Sequence, residues 1–374
     1  MRKKLKEVCD FYSGTGFPVK YQGEEAGELP FYKVGDIANN ATTGNVYLRI
    51  CNNYISNDVA KEIKGTIIPA DVVVFAKIGE ALKLNRRAIT SCDCLIDNNA
   101  MGIGGKREYL NSMYFYFYMK NLKMETLAES TTVPSVRKTK LEEIEIEIPT
   151  LNEQGEIVDI LAKLQSIISE RQGQLEKLDE LIKARFVELF GNPVRNEKGW
   201  ITYKLEECLD RIDNGKSFVC SDKARTGVNP AVLKLSAATY GNYRPDENKA
   251  LLDDDLFVEG AEVQKGDLLF TRKNTPELVG MAAYVHETPP RLMMPDLIFR
   301  LVPNEKMNAV FLWQLINCRE FRPVIQSVSG GSAKSMSNIS KERLGKISII
   351  CPPRELQDEL VPFIEQVDKS KFAA

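Results

Sequence analysis

The spacing of apolar residues predicts one long helix in the middle of the chain. Between Gln154 and Phe190 there is no proline, and apolar residues recur in alternating steps of four and three for more than four repeats. This heptad pattern is typical of a coiled coil, with an ordinary amphipathic surface helix as the alternative. Gly191-Asn192-Pro193 predicts that the helix ends at Phe190. The seam residues are Ile157, Leu161, Leu164, Ile168, Leu175, Leu178, Ile182 and Leu189, with Arg171 and Arg185 at the two remaining seam positions.

Short apolar runs on both sides of this helix predict buried strands. Val72–Phe75 and Leu268–Phe270 each follow turn residues. Ile144–Ile148 alternates with period two, which predicts a half-buried strand that ends at Pro149. Ile347–Ile349 repeats this alternation in the second half of the chain. Strands mixed with helices in each half predict an α+β, or mixed α/β, fold class.

The same elements recur in both halves, which predicts a tandem duplication. Lys4-Leu5-x-Glu7-x-x-Asp10 returns 200 residues later as Lys204-Leu205-x-Glu207-x-x-Asp210, and the Asp71–Lys77 run returns as Asp267–Lys273. At a constant spacing of 203 residues, Leu141, Ile144, Ile146, Pro149 and Gln154 map onto Leu344, Ile347, Ile349, Pro352 and Gln357. The predicted division is a first domain over residues 1–150, the long helix over 151–192, a second domain over 193–352 and a shorter helix over 353–374.

Composition excludes several classes of protein. The chain has 374 residues with 50 Lys and Arg against 52 Asp and Glu, so it is not uniformly basic, although one face can still be. A single histidine, His286, disfavours histidine-rich metal sites and Ser–His catalysis. The eight cysteines form no C-x-x-C pair and are expected to be reduced thiols. With neither an apolar run of about 20 residues nor a signal peptide, the protein is expected in the cytoplasm.

Catalytic motifs are missing from the chain. Tyr12-Ser13-Gly14-Thr15-Gly16 fits the glycine loop of S-adenosylmethionine-dependent methyltransferases only superficially, because polar residues precede it and Pro18 follows, so a turn is predicted. There is no Asn-Pro-Pro-Tyr or Asp-Pro-Pro-Tyr tetrad, and neither Pro245-Asp246 nor Pro295-Asp296 is followed by the Asp/Glu-x-Lys of a nuclease. We therefore predict no catalytic residue and no metal ligand.

Basic and hydroxyl-rich loops recur at equivalent places in the two halves. Residues 130–138 and 329–338 both precede the last strand of their domain. Lysine, arginine, hydroxyl and amide side chains hydrogen-bond phosphates and base edges, although a solvated surface charge is the alternative for any single residue. The DNA-binding candidates are Lys33, Lys77, Arg86, Arg87, Ser135, Arg137 and Lys138 in the first half, and Lys234, Arg272, Lys273, Ser332, Lys334, Ser335 and Asn338 in the second.

The chain resembles the specificity subunit of type I restriction–modification enzymes over essentially its whole length. The resemblance is carried by Ile144–Gln154 with the helix to Phe190, by Gly266–Lys273 and by Gly330–Gln357. It implies two target-recognition domains, each reading one half of a split site in double-stranded DNA. It also implies that the two helices pack antiparallel as a spacer with pseudo-two-fold symmetry.

The resemblance further implies that this chain is not catalytic and works with partners. Two methyltransferase subunits, which carry S-adenosylmethionine, are expected to dock on the helices, and an endonuclease subunit is expected to join through the complex. No cofactor is expected on this chain. The expected spacer and docking residues are Leu161, Leu164, Ile168, Arg171, Leu175, Leu178, Ile182, Arg185, Leu189, Leu360, Ile364 and Val367.

Two alternative functions stay open from the sequence. One is a self-sufficient DNA methyltransferase or nuclease, which the missing motifs disfavour. The other is a scaffold or decoy that does not bind DNA. The second helix reaches Ala374 only 17 residues after Gln357, so one end of the helix pair is expected to lack its partner.

Overall fold

The chain forms two compact units, Met1–Ser169 and Glu170–Ala374. A computed structural model describes residues 1–129, 133–330 and 336–373. The boundary between the units falls inside one continuous helix, Leu151–Phe190. No helix in the described part of the chain combines the length and hydropathy needed to cross a membrane.

The described residues of the first unit form nine strands in three sheets. Its strands are β1 (Arg2–Lys4), β2 (Cys9–Ser13), β3 (Leu29–Tyr32), β4 (Tyr54–Ile55), β5 (Val72–Ala76), β6 (Arg87–Ile89), β7 (Leu95–Ile96), β8 (Ala100–Gly105) and β9 (Glu145–Glu147). Its helices are α1 (Leu5–Val8), α2 (Val34–Thr42), α3 (Asn57–Glu62), α4 (Glu80–Lys83), α5 (Ser112–Asn121), α6 (Lys138–Glu142) and the start of α7 (Leu151–Phe190). The sheet orders among these residues are β2-β8-β5-β6, β4-β3-β7 and β1-β9.

The second unit repeats this topology strand for strand. Its strands are β10 (Thr202–Lys204), β11 (Leu209–Asn214), β12 (Ala231–Leu233), β13 (Asn248–Ala250), β14 (Leu268–Thr271), β15 (Lys273–Asn274), β16 (Ala282–Tyr284), β17 (Leu292–Met293), β18 (Ile298–Pro303), β19 (Ser337–Asn338) and β20 (Ser348–Ile350). Its helices are α8 (Ser236–Thr239), α9 (Ala309–Asn317), α10 (Arg322–Ser327), α11 (Lys341–Gly345), α12 (Arg354–Asp358) and α13 (Leu360–Ala373). The orders β11-β18-β14-β16, β13-β12-β17 and β10-β20 match the first unit, and the pair β15-β19 is added. The predicted duplication is confirmed.

Each four-stranded sheet is buried on both faces, which explains the uninterrupted apolar runs of its central strands. In β5, Val73 and Phe75 pack in one cluster with Phe115 of α5. Val72 and Val74 pack in another cluster, against the three-stranded sheet. In the second unit β14 divides in the same way between two clusters. Burying each such side chain contributes about 1.5–3 kcal/mol, so these strands anchor each unit.

The long helix begins three residues earlier than the heptad pattern predicts. It starts at Leu151 because Thr150 and Glu153 form a capping box, in which the Thr150 backbone N–H donates to Glu153 Oε2 at 2.8 Å. It ends at Phe190, as predicted, and Gly191 follows in the left-handed region at a φ of +73°.

In the second unit, α13 packs antiparallel on the last turns of α7. Leu360, Ile364 and Val367 share a core cluster with Ile182 and other residues of α7. The Lys371 ammonium lies 2.7 Å from a carboxylate oxygen of Asp179, and the Arg185 guanidinium lies 5.9 Å from the centre of the Phe363 ring. As the residue numbers rise on α7 they fall on α13, which confirms the expected antiparallel arrangement.

Candidate nucleic-acid interface

One basic residue follows the central strand of the four-stranded sheet in each unit. Lys77 follows β5, its N–H donates to the carbonyl of Asn99 at 2.8 Å, and its carbonyl accepts from the N–H of Val136 at 2.9 Å. In the second unit the backbone N–H of Arg272 donates to the carbonyl of Leu297 at 3.0 Å, and its carbonyl accepts from the N–H of Ile339 at 2.8 Å. The two residues are thus structurally equivalent. The sequence alignment had paired Lys77 with Lys273, one residue further, because both runs begin at an aspartate.

A second polar residue lies beside each of these cations. In the second unit, Nε and Nη2 of Arg272 both lie 3.4 Å from Oδ1 of Asn338. Asn338 pairs with Lys273 between β19 and β15. In the first unit Ser135 takes the corresponding place, bridged to Ile78. The structure therefore brings together predicted residues that are about 60 positions apart in sequence.

Three further predicted cations lie on segments whose backbones neighbour the Lys77 end of β5. Arg86 is half-buried and directly precedes β6, whose first residue pairs with Phe75 of β5. Arg137 pairs with Glu129 at 3.0 Å and keeps 69% of its side chain exposed. Lys138 lies 3.6 Å from Glu142 and 5.6 Å from the ring centre of Phe11. Exposed ion pairs contribute little to stability, so these side chains remain available to a polyanion. We call Lys77, Arg86, Ser135, Arg137 and Lys138 the first basic edge, and Arg272, Lys273 and Asn338 the second basic edge.

Arg87 does not belong to the first basic edge, and its prediction as a DNA contact is wrong. Only 2% of the residue is exposed. Its guanidinium lies 5.0 Å from the ring centre of Phe75 and donates to Asn85 Oδ1 and to the carbonyls of Arg86 and Leu122. Burial lowers the pKa of this group to about 10. Arg87 is a structural cation that closes the end of the sheet.

Lys33 and Lys234 lie on the three-stranded sheets, apart from the basic edges. Lys33 donates to Oε1 of Gln22, and its ammonium lies 5.6 Å from the ring centre of Phe17. It lines an open cleft of about 510 Å³ whose other polar side chains are Gln22, Asp36, Asn39, Asn52 and Asn53. Lys234 follows β12 and lies 3.6 Å from Glu247.

The turn Asp97–Asn99 is part of the candidate interface and was missed in the sequence. Asp97 Oδ2 accepts from the N–H of Val34 at 3.1 Å, and the Asn99 carbonyl accepts from Lys77. The turn therefore joins the Lys33 loop to the first basic edge, with Asn98 and Asn99 exposed. Exposed asparagines can read adenine, so an Asp-Asn-Asn turn between two apolar strands was the available signal.

Gly14 explains the glycine-rich motif near the start of the chain. The motif does follow a strand, β2, but no methyltransferase-type helix opens after it, since only a single 3₁₀ turn follows Pro18. A Cβ at Gly14 would lie 1.8 Å from the carbonyl oxygen of Asp97. Gly215 is the equivalent residue of the second unit, and a Cβ there would lie 1.9 Å from the carbonyl oxygen of Pro295. Glycine is needed there for close backbone approach rather than for a cofactor.

Three predicted contacts cannot be placed. Ser332, Lys334 and Ser335 lie outside the described residues, and so do residues 130–132 of the corresponding loop in the first unit.

The helix seam separates into a covered part and an exposed part. Leu178, Ile182 and Leu189 pack in the core cluster of the second unit together with Leu360, Ile364 and Val367. Leu164, Ile168 and Leu175 keep 49%, 63% and 38% of their surfaces exposed, and Leu161 is half-buried. Arg185 faces α13, whereas Arg171 is exposed and donates to Gln174 at 2.8 Å.

Comparison of the two copies of the helix shows that the α7 seam residues have less packing than their counterparts in α13. At the 203-residue spacing, Leu161 and Leu164 correspond to Ile364 and Val367. Those two residues are 0% and 5% exposed against α7 in the second unit. The same two seam positions are thus covered in α13, whereas in α7 Leu161 is half-buried and Leu164 is exposed.

Comparison with known proteins agrees with this architecture. Residues 1–180 match the sequence profile of the type I restriction modification DNA specificity domain. The type I restriction enzyme EcoEI specificity subunit of Escherichia coli is 30% identical over 173 residues, which are 46% of this chain and 29% of that protein. The chain is thus similar to type I specificity subunits over its first unit and part of α7.

Other type I specificity subunits match a larger part of the chain. The MjaVIII specificity subunit of Methanocaldococcus jannaschii is 22% identical over 293 residues, 73% of this chain and 67% of that protein. The crystal structure of an S subunit from M. genitalium superposes with a TM-score of 0.52 at 14% identity. That superposition covers 100% of this chain and 90% of the other, and it shows a shared fold.

Proposed function

We propose that this chain is the DNA-recognition subunit of a type I restriction–modification complex, with each unit reading one half of a split site. The observation that carries the proposal is the equivalence of Lys77 and Arg272. Both cations follow the central strand of a duplicated sheet and are held by the same two backbone hydrogen bonds. Equivalent cations at the same place in both units suit a ligand with two similar binding sites, such as the two halves of a split DNA site.

The chemistry of the basic edges suits duplex DNA. Lysine and arginine neutralise phosphates, and the hydroxyl of Ser135 can hydrogen-bond a phosphate oxygen. Arg272 and Asn338 are a pair that can read guanine and adenine in the major groove. The overall charge of −2 means that binding depends on these local clusters rather than on a uniformly basic surface.

The exposed part of the helix seam is the proposed docking surface for two methyltransferase subunits. Leu164, Ile168 and Leu175 form an apolar stripe along α7 that keeps between 38% and 63% of its surface exposed. In this proposal the methyltransferase subunits carry S-adenosylmethionine and the catalytic groups, and an endonuclease subunit joins through the complex. This chain contributes recognition, binds no cofactor and acts in the cytoplasm.

Binding to duplex DNA at several salt concentrations tests the proposal. We expect affinity to fall steeply with salt, and Lys77→Glu and Arg272→Glu to weaken binding and flatten the salt dependence by about one phosphate contact each. Lys61→Glu is the matched control, because Lys61 is 80% exposed and lies outside both basic edges.

Two results would favour other functions. Undetectable DNA binding by the intact chain with its methyltransferase subunits would indicate a scaffold or decoy. Methyl transfer to DNA by the purified chain alone, supplied with S-adenosylmethionine, would indicate a self-sufficient methyltransferase.

A further inference from the structure

Two cysteines that are far apart in sequence lie near each other beside the β10–β20 strand pair of the second unit. Cys208 closes the 3₁₀ turn Leu205–Cys208 after β10, and Cys351 follows β20. The strands β10 and β20 pair antiparallel, and the N–H of Cys351 donates to the carbonyl of Ile201 at 2.8 Å. This pairing places Cys208 in the core cluster of the second unit, with Cys351 packed against the same cluster.

The segment Asn304–Lys306 fixes both cysteines. The N–H of Asn304 donates to the Cys208 carbonyl at 3.1 Å. The Cys351 thiol donates to the Lys306 carbonyl at 3.5 Å. Cys208 is fully buried, whereas Cys351 is half-buried and reachable from solvent. The pair therefore has one accessible thiol backed by one protected thiol.

The two thiols differ in acidity. The hydrogen bond from Cys208 lowers the pKa of Cys351 to about 7, and the charge of Lys306 acts in the same direction. The pKa of Cys208 is raised by its hydrogen bond to Cys351 and by burial. Because the thiolate is the nucleophile, Cys351 is suited to react first and Cys208 to follow.

The first unit provides a built-in comparison. Its residues at the places of Cys208 and Cys351 are Val8 and Ile148, which are 0% and 6% exposed. The fold therefore needs only apolar side chains there, and thiols are a particular property of the second unit. Cys318 is a half-buried cysteine whose pKa burial raises to about 11, so it lacks the acidity of Cys351.

We propose that Cys208 and Cys351 form a peroxide-sensitive dithiol that closes to an intramolecular disulfide. The Cys351 thiolate attacks one oxygen of hydrogen peroxide, the O–O bond breaks, and a sulfenic acid and hydroxide form. Cys208 then attacks the Cys351 sulfur, the S–O bond breaks, and the thiol proton leaves with the hydroxyl group as water. In total two thiols and one peroxide give one disulfide and two waters.

The disulfide would join the turn after β10 to the corner that leads into α12 and α13. Cys351 lies 4.0 Å from Nε2 of Gln357, the buried glutamine of that corner. A closed disulfide constrains the unfolded chain, so the oxidised second unit should unfold at a higher temperature than the reduced one. This inference does not depend on DNA binding.

Peroxide treatment of the full chain, followed by counting free thiols and mapping peptides, tests the proposal. We expect the loss of two of the eight thiols, a Cys208–Cys351 linked peptide, reversal by dithiothreitol, and a rate that rises with pH around 7. Cys318→Ser should behave like the wild type, whereas Cys351→Ser should keep its remaining thiols.

A second variant keeps the test independent of folding defects. Cys208→Val copies the first unit, so it should fold and should accumulate a Cys351 sulfenic acid that dimedone traps. Disulfides joining other cysteines, or oxidised Cys351 with Cys208 left as a free thiol in the wild type, would overturn the proposal.

Discussion

Gln154 and Gln357 make the same set of buried hydrogen bonds in the two copies of the fold. Both side chains are 0% exposed. Each Oε1 accepts at 2.8 Å from a backbone N–H, of Asn111 in the first unit and Asn308 in the second. Each Nε2 donates to two carbonyls, those of Tyr109 and Pro149 and those of Lys306 and Pro352. The buried glutamine five residues after the proline thus acts as a clamp: its hydrogen bonds fix the following helix to the sheet domain.

Replacing either glutamine by leucine should destabilise the unit to which it belongs. The substitution removes three hydrogen bonds and leaves a buried N–H and two carbonyls without that partner, at a cost of about 2–4 kcal/mol. Thermal or urea unfolding of Gln154→Leu and Gln357→Leu measures this loss in the free energy of unfolding. Gln172→Leu, at an exposed position of α7, is the control and should change little. Equal stability of all three variants would contradict the clamp.

Adding a methyl group at Gly14 or Gly215 should be strongly destabilising. The new Cβ would lie within 2 Å of a backbone carbonyl oxygen, which cannot move without shifting a strand. Overpacking of this kind costs about 3 kcal/mol. Gly16→Ala is the matched control, since nothing lies within 4 Å of its added Cβ. The unfolding midpoints of Gly14→Ala and Gly215→Ala should fall well below that of Gly16→Ala.

The covered and exposed parts of the helix seam should respond differently to a charge. Ile182→Glu should destabilise the isolated chain, because Ile182 is 5% exposed in the core of the second unit. Leu164→Glu and Ile168→Glu should leave the unfolding midpoint almost unchanged and weaken binding to the methyltransferase subunits. Co-purification together with thermal unfolding checks both effects. Undiminished assembly of the two exposed-seam variants would argue against docking at this surface.

Much of the fold was predictable because it depends on local pattern and on repetition. The strands β5 and β14 appear as apolar runs since both of their faces are buried. The end of α7 appears as Gly191-Asn192-Pro193, and the duplicated corners appear at a fixed spacing. The start of α7 at Leu151 is marked in the sequence by the capping box of Thr150 and Glu153, which lie outside the heptad pattern.

The rest depends on contacts between distant residues. The sequence does not reveal that Arg87 is buried, because the Phe75 ring and the Leu122 carbonyl that lie beside its guanidinium come from other segments of the chain. The meeting of Cys208 with Cys351 follows from the pairing of the first and last strands of a domain. The place of Asn98 and Asn99 beside Lys77 likewise follows from sheet topology, which apolar spacing alone does not fix.

Lengthening α7 should widen the gap between the two half-sites. Seven residues inserted before Gly173 keep the heptad seam in phase and add about 10 Å, or about three base pairs of DNA. Four inserted residues shift the seam toward another face and should impair assembly more. The methylated motifs of both variants, each assembled with its methyltransferase subunits, report the gap. An unchanged gap in a variant that still methylates would contradict a spacer role.

The most direct test of two separate readers is methylome sequencing of two paired variants. One carries Lys77→Ala with Ser135→Ala in the first basic edge, and the other carries Arg272→Ala with Asn338→Ala in the second. Each is assembled with the methyltransferase subunits. Each variant should relax the sequence of one half of the methylated motif, a different half for each, with the gap and the other half unchanged. Relaxation of the same half by both variants, or equal loss in both halves, would contradict the account.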